Sequence, residues 1–187
     1  MKTIFLVFFL FSAFSTTLPS TSAGFVYDTD GEPLRNGGSY HIIVSGLWGD
    51  RLRLGRSGNE TCPQTVVLAR SEISPVRLST PYKILYIFEG MLISINFTKV
   101  SECVPEISEW DVVDEGSVKQ VNVQRFVGPF KIVKSESHDY KLVYCPGDDD
   151  SCEDLKIHDR LLKAKAGKSF GVRFERAVKS SPEWSIV

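Results

Sequence analysis

Three histidines, four cysteines, a run of three aspartates and a Gly-Lys-Ser tripeptide are the parts of this 187-residue chain from which a reactive centre could be assembled. His41 lies in a strand-like run, Tyr40-His41-Ile42-Ile43-Val44, and reads as a packed or surface residue. His138 and His158 each precede an aspartate, a pairing that marks turns, and no Gly-x-Ser-x-Gly elbow accompanies them. Gly167-Lys168-Ser169 ends like a phosphate-binding loop, but the position that requires the earlier glycine holds Leu162. Asp148-Asp149-Asp150 lacks the ligand spacing of an EF-hand and reads as a solvated loop tip. Lys163, Lys165 and Lys168 read as an exposed strand face. The expectation is a protein that is not an enzyme and uses no metal or cofactor.

The cysteines need their compartment to be interpreted. Lys2, then a short apolar core over residues 4–11, then small and polar residues ending Thr21-Ser22-Ala23, describe a secretory signal peptide over residues 1–23. Its apolar core is too short to span a bilayer, and no later segment has the length and apolarity to do so. An exported chain with an even cysteine count favours disulfides over a catalytic thiol. Zinc would need closely spaced ligand pairs, which are absent. Cys62, Cys103, Cys145 and Cys152 allow three connectivities, of which Cys62–Cys103 with Cys145–Cys152 is the simplest. Closing those two loops would stabilise the fold by roughly 4 and roughly 2.5 kcal/mol. Asn59-Glu60-Thr61, in a Gly-flanked turn, and Asn96-Phe97-Thr98, at a strand end, are candidate glycosylation sites.

A hydrophobic fraction of 42% and a charged fraction of 24% fit a folded domain, and a net charge of −1 excludes the basic field of a nucleic-acid binder. The elements that must carry any site are short. Apolar or alternating runs at 40–44, 65–68, 84–88, 92–97, 121–123, 130–133, 140–144 and 170–175 are separated by turns such as Asn36-Gly37-Gly38, Phe88-Glu89-Gly90 and Pro146-Gly147-Asp148. That spacing predicts an all-β barrel or sandwich. Residues 153–168 fit one helix or two short strands around His158-Asp159-Arg160 equally well. Weak internal echoes, of 92–97 with 168–174 and of 82–86 with 140–144, hint at a repeat-built fold.

The start of the predicted mature chain is more specific. Val26-Tyr27-Asp28-Thr29-Asp30-Gly31-Glu32-Pro33-Leu34, then after five intervening residues Tyr40-His41-Ile42, resembles the N-terminal signature of the soybean-type Kunitz protease inhibitors. Gly58-Asn59-Glu60-Thr61-Cys62-Pro63, Glu109-Trp110-Asp111-Val112-Val113 and Tyr140-Lys141-Leu142-Val143-Tyr144-Cys145-Pro146 resemble the same family in the same order. The resemblance implies a β-trefoil over residues 24–178, with twelve strands in three pseudo-repeats, and the sequential pairing of the two disulfides. It also implies a secreted monomer, extracellular or vacuolar, whose partner is a trypsin-like serine protease. Neither nucleic acid nor, once the signal is removed, membrane is expected as a partner.

The stretch matching the family's inhibitory loop is Ser79-Thr80-Pro81-Tyr82-Lys83-Ile84, with Leu85 following. By position Lys83 precedes the scissile bond and Ile84 follows it, while Asn36 matches the asparagine that supports the loop from beneath. A long cationic side chain suits a trypsin-type pocket with a carboxylate at its base. Pro81 restricts the backbone, so less entropy is lost on binding. Arg77-Leu78 is a competing basic site out of that register, and Asn36-Gly37 is also simply a good turn pair. The alternatives within the fold are inhibition of cysteine or aspartic proteases through another loop, or a storage or carbohydrate-binding role. The short Cys145–Cys152 loop and the tail at 180–187 depart from the family pattern.

Overall fold

In a computed structural model, residues 23–47, 49–70, 74–98, 108–113, 116–121, 128–147, 151–165 and 169–177 are described. Residues 1–22, which hold most of the expected signal peptide, Cys103, Asp148 to Asp150, Gly167-Lys168 and the tail lie outside them. Within the described residues the strands are β1 Gly38–Val44, β2 Arg51–Gly55, β3 Thr65–Ala69, β4 Val76–Ser79, β5 Leu92–Phe97, β6 Glu109–Val113, β7 Ser117–Val121, β8 Phe130–Lys134, β9 Tyr140–Tyr144, β10 Glu153–His158, β11 Leu161–Ala164 and β12 Val172–Arg176.

Pairing sorts them into two sets. Strands β1, β4, β5, β8, β9 and β12 each pair antiparallel with the next, and β12 returns to β1, closing a barrel. The other six form the hairpins β2–β3, β6–β7 and β10–β11. These hairpins meet one another through β3–β7, β7–β11 and β11–β3, a triangle capping one barrel end. Barrel strand, hairpin and barrel strand recur three times in chain order, which is the β-trefoil. Closure removes the free sheet edges that would otherwise invite association.

Alternation explains the packing. Tyr40, Ile42 and Val44 of β1, Ile93, Ile95 and Phe97 of β5, and Val172 and Phe174 of β12 are buried inside the barrel with Leu78, Phe130, Ile132 and Leu142. Each large apolar side chain removed from water contributes about 2 kcal/mol. Trp110 of β6 joins cap to barrel, its ring 5.2 Å from Phe97 and 6.3 Å from Phe130 between centroids.

The two readings of residues 153–168 resolve as strands β10 and β11 around a tight turn at Asp159-Arg160. The repeat is real, but the echoes noted in sequence join elements the threefold arrangement does not relate. Segment 92–97 is β5, the first strand of its repeat, whereas 172–176 is β12, the last of its own. Shared strand composition produced the likeness. Residues 84–88 are not a strand either; they make isolated bridges, Arg35 with Tyr86 and Phe25 with Phe88, to a segment running over the barrel end.

Cys145 and Cys152 are bonded, closing the β9–β10 connection. Cys62 is also disulfide-bonded. Asn59 is exposed in the β2–β3 loop beside Gly58, whereas Asn96 is half-buried within β5, opposite Arg77. His138 does occupy a turn, with positive φ, but His158 is the last residue of β10, and the turn follows it at Asp159-Arg160. Lys165 is exposed, but Lys163 is half-buried because β11 pairs on both sides.

Candidate functional site

The segment leaving β4 is displayed outward and tied down from beneath. Pro81, Tyr82 and Lys83 are exposed, Leu85 is 61% exposed, and Thr80 is buried at the loop's base. Tyr82 and Leu85 thus place two large apolar side chains on the outer side of this loop. Ile84 is half-buried, and its N–H donates to the Tyr82 carbonyl at 2.8 Å, folding the backbone tightly around Lys83.

Asn36 provides the tie. Its amide nitrogen donates to the carbonyls of Thr80, Tyr82 and Ile84, each at 3.2 Å, and its Oδ1 accepts the Thr80 N–H at 2.9 Å. Two amide hydrogens shared among three acceptors hold the loop as a unit. The three carbonyls alternate along the chain. Those of Pro81 and Lys83, the intervening residues, take no part in this network. The Lys83 carbonyl is therefore flanked by two carbonyls that Asn36 holds and is itself not among its acceptors.

The turn that places Asn36 is itself fixed. Gly37 has φ +79°, open to glycine without a steric penalty, and its N–H donates to the Leu78 carbonyl at 2.7 Å. Gly38 passes so close to the Tyr40 ring and the Arg35 carbonyl that a Cβ there would lie 2.7 Å and 3.0 Å from them. The Asn36 N–H donates to the Leu85 carbonyl at 2.9 Å. The buried Tyr40 hydroxyl accepts the Arg35 N–H at 2.8 Å, an anchoring role that its place in an alternating strand did not announce. Asn36-Gly37 is thus both a good turn pair and the loop's support; the two readings are compatible.

Beneath this lies the conspicuous sequence signature. Asp28 is wholly buried; its Oδ1 accepts the N–H groups of Asp30 and Glu32, and its Oδ2 meets Arg176 of β12 at 2.9 Å. Thr29 N–H donates to the Phe174 carbonyl at 2.8 Å. The strap so anchored bonds to the far side of the loop, Val26 N–H to the Ile87 carbonyl at 3.1 Å and Ile87 N–H to the Leu34 carbonyl at 2.9 Å. Both ends of the segment 79–87 are therefore held, one by β4 and the other by the strap.

The competing basic site is not displayed in this way. Arg77 lies inside β4, paired with Ser39 on one side and Asn96 on the other, so the Arg77–Leu78 peptide is part of the barrel wall. A protease needs an extended segment free of such pairing. Of the two basic candidates, only Lys83 stands on a loop.

Over residues 26–176 the chain matches the legume Kunitz family, described as trypsin and protease inhibitors. It is 37% identical to trypsin inhibitor A of Glycine max, across 97% of this chain and 94% of that relative. Its fold superposes with a TM-score of 0.73 on a mutant Bauhinia bauhinioides kallikrein inhibitor solved in complex with bovine trypsin, at 29% identity, covering 83% of this chain and 100% of the other. Soybean trypsin inhibitor gives a TM-score of 0.68 at 31% identity, covering 81% and 99%. With the signature, the barrel, the cap and the bracketed loop all in register, the chain belongs to the legume Kunitz family of trypsin and protease inhibitors.

Proposed function

We propose that the chain is a secreted, substrate-like inhibitor of trypsin-type serine endopeptidases, presenting Lys83–Ile84 as the scissile bond. The observation that carries this reading is the Asn36 network, which grips Tyr82 on one side of that bond and Ile84 on the other. Named relatives support the protease class: trypsin inhibitor A of Glycine max, and an inhibitor solved with bovine trypsin.

The mechanism follows from the geometry. Lys83 enters the specificity pocket, and its carbonyl meets the oxyanion donors of the protease. Attack by the serine hydroxyl forms an acyl bond to Lys83 and releases the Ile84 amine. In an ordinary substrate that amine diffuses away. Here the Ile84 carbonyl stays bonded to Asn36, and the Leu85 carbonyl to the Asn36 N–H. The amine therefore remains beside the acyl carbon, where re-formation of the peptide competes with water. Rigidity contributes to affinity as well, because the loop has little freedom left to lose on binding.

Export through the 1–23 segment, to the extracellular space or a vacuole, belongs to the same reading, as does a glycan on the exposed Asn59. The experiment is a titration of the mature chain against trypsin, chymotrypsin and papain. Stoichiometric inhibition of trypsin, with papain unaffected, is expected. Inhibition of papain without trypsin would move the function to another loop, and no inhibition of any of the three would favour a storage or carbohydrate-binding role.

A further inference from the structure

Away from the loop, three arginines converge on one cavity. Arg53 of β2, Arg70 just beyond β3 and Arg160 of the β10–β11 turn line a space of about 460 Å³, whose other walls are Asp50, Leu68 and Ala69. The fold brings them there from separate elements. Pairing of β2 with β3 sets Arg53 opposite Val67, and pairing of Leu161 with Val67 lays the β10–β11 turn against the same hairpin.

That turn is built against its own preference. Asp159 and Arg160 have φ of 49° and 66°, a left-handed pair usually filled by Asn-Gly. Arg160 is held in it from both ends: its carbonyl accepts the Leu68 N–H at 2.7 Å, and its Nε and Nη2 donate to the Leu68 carbonyl at 3.2 and 3.0 Å. The guanidinium is thereby fixed at the cavity wall with donors still to offer. Backbone strain retained in this manner is concentrated at sites of function. Arg53 donates through Nη1 to the Leu54 carbonyl at 3.2 Å. Arg70, 73% exposed along its side chain, meets Asp50 at 3.0 Å. Among the described residues, three arginines and one carboxylate line the cavity, the carboxylate being paired with Arg70.

We propose that this cavity binds a tetrahedral oxyanion, the phosphate or sulfate group of a free ion or of an esterified sugar. Guanidinium forks approaching from three elements suit a group with oxygens at every corner better than a planar carboxylate. The position gives the site a use. Asn36 precedes the first residue of β1, whereas Asp50 bonds to Val44 at its far end, so the seven residues of β1 separate loop and cavity by about 20 Å. An anion held here leaves the loop free, and the protein could be retained on an anionic matrix while engaging a protease.

The test is titration of the mature chain with sodium sulfate, sodium phosphate and sodium acetate at constant ionic strength, and with dextran sulfate against neutral dextran, for the natural protein and R70E. Sulfate or phosphate should bind, about ten-fold or more weakly in R70E, with trypsin inhibition unchanged as the control for folding. Preference for dextran sulfate over the free ions would identify the esterified sugar as the source, and equal or better binding of the free ions would identify the small anion. Absence of binding, equal binding by R70E, or acetate binding as well as sulfate and phosphate would overturn the assignment. None of these outcomes depends on the role of Lys83.

Discussion

The Asn36 amide nitrogen lies 3.2 Å from the Ile84 carbonyl oxygen and the same distance from that of Tyr82, so one side chain spans the Lys83–Ile84 peptide from beneath. The side chain comes from the turn before β1, 48 residues earlier in the chain. Whatever a protease does to the peptide above, the two halves share this anchor.

Removing the anchor should separate binding from survival. Asn36→Ala deletes every side-chain bond to the loop, and each was worth about 1 kcal/mol net. Trypsin affinity is expected to fall about ten-fold, since Lys83 still reaches the pocket, while hydrolysis at Lys83–Ile84 accelerates by a larger factor. Asn36→Asp should be worse than alanine, because it sets a carboxylate against three carbonyls. Chromatography of inhibitor incubated with catalytic trypsin measures the rate; an unchanged rate in both variants would remove Asn36 from the mechanism.

Asp28 should matter for stability and, through the strap, for the loop. Asp28→Ala leaves the Asp30 and Glu32 N–H groups and Arg176 without their acceptor. With Arg176 still partly in water, a loss of about 2–3 kcal/mol in denaturant unfolding is expected. The 25–35 segment should also become more susceptible to proteolysis. Wild-type stability in this variant would mean the strap does not need its buried carboxylate.

Among the described residues, His41 and Glu60 titrate away from their ordinary values on the acid side. His41 is held below its ordinary 6.5 by burial, then by the Arg51 charge, against a smaller opposing pull from Glu175. The unfolded chain therefore takes up this proton before the folded one does. The contribution is full above pH 6.5 and declines as pH falls from 6.5 to the lower folded value. Burial pushes Glu60 up, but bonds from Lys119, Thr65 and the Ser57 N–H outweigh it and hold the carboxyl below 4.5. Its contribution is present above 4.5 and is lost as pH falls from there to the folded value. Denaturation midpoints should therefore drop in two steps on acidification. His41→Leu should flatten the upper step alone; an undiminished slope near pH 6 would place its origin elsewhere.

The Cys145–Cys152 bond should be dispensable for inhibition. Replacing both cysteines by serine opens a short loop, at a cost of about 2.5 kcal/mol. The β9–β10 pairing of Tyr144 with Glu153 would loosen, but the inhibitory loop is built from other elements. Equal trypsin inhibition with a lowered unfolding midpoint is expected, and loss of inhibition in a folded double variant would contradict it.

The sequence revealed the strand class but not the whole ladder. Alternation at 40–44 and 170–175 identified β1 and β12, because each buries one face. Strand β2 gives a weaker signal although Arg51-Leu52-Arg53-Leu54 alternates, since its polar partners outweigh its two leucines. Residues 84–88 are as apolar as a strand, yet their hydrogen bonds go to the strap, a non-local arrangement that no local pattern encodes. The site was legible only through resemblance. Nothing local distinguishes Lys83 from Arg77; the difference is that Arg77 has strands on both sides and Lys83 has none. Asn36 likewise carried only a turn signal, because its acceptors are more than forty residues away.

The most direct test is the trypsin inhibition constant of Lys83→Ala beside that of Lys83→Arg, with N-terminal sequencing of any cleaved product. Truncating a charge that fills a buried, complementary pocket should weaken inhibition about 100- to 1,000-fold. Arginine should preserve it, and the new N-terminus should begin at Ile84. Undiminished inhibition by Lys83→Ala, or cleavage elsewhere, would contradict the assignment of Lys83–Ile84 as the reactive bond.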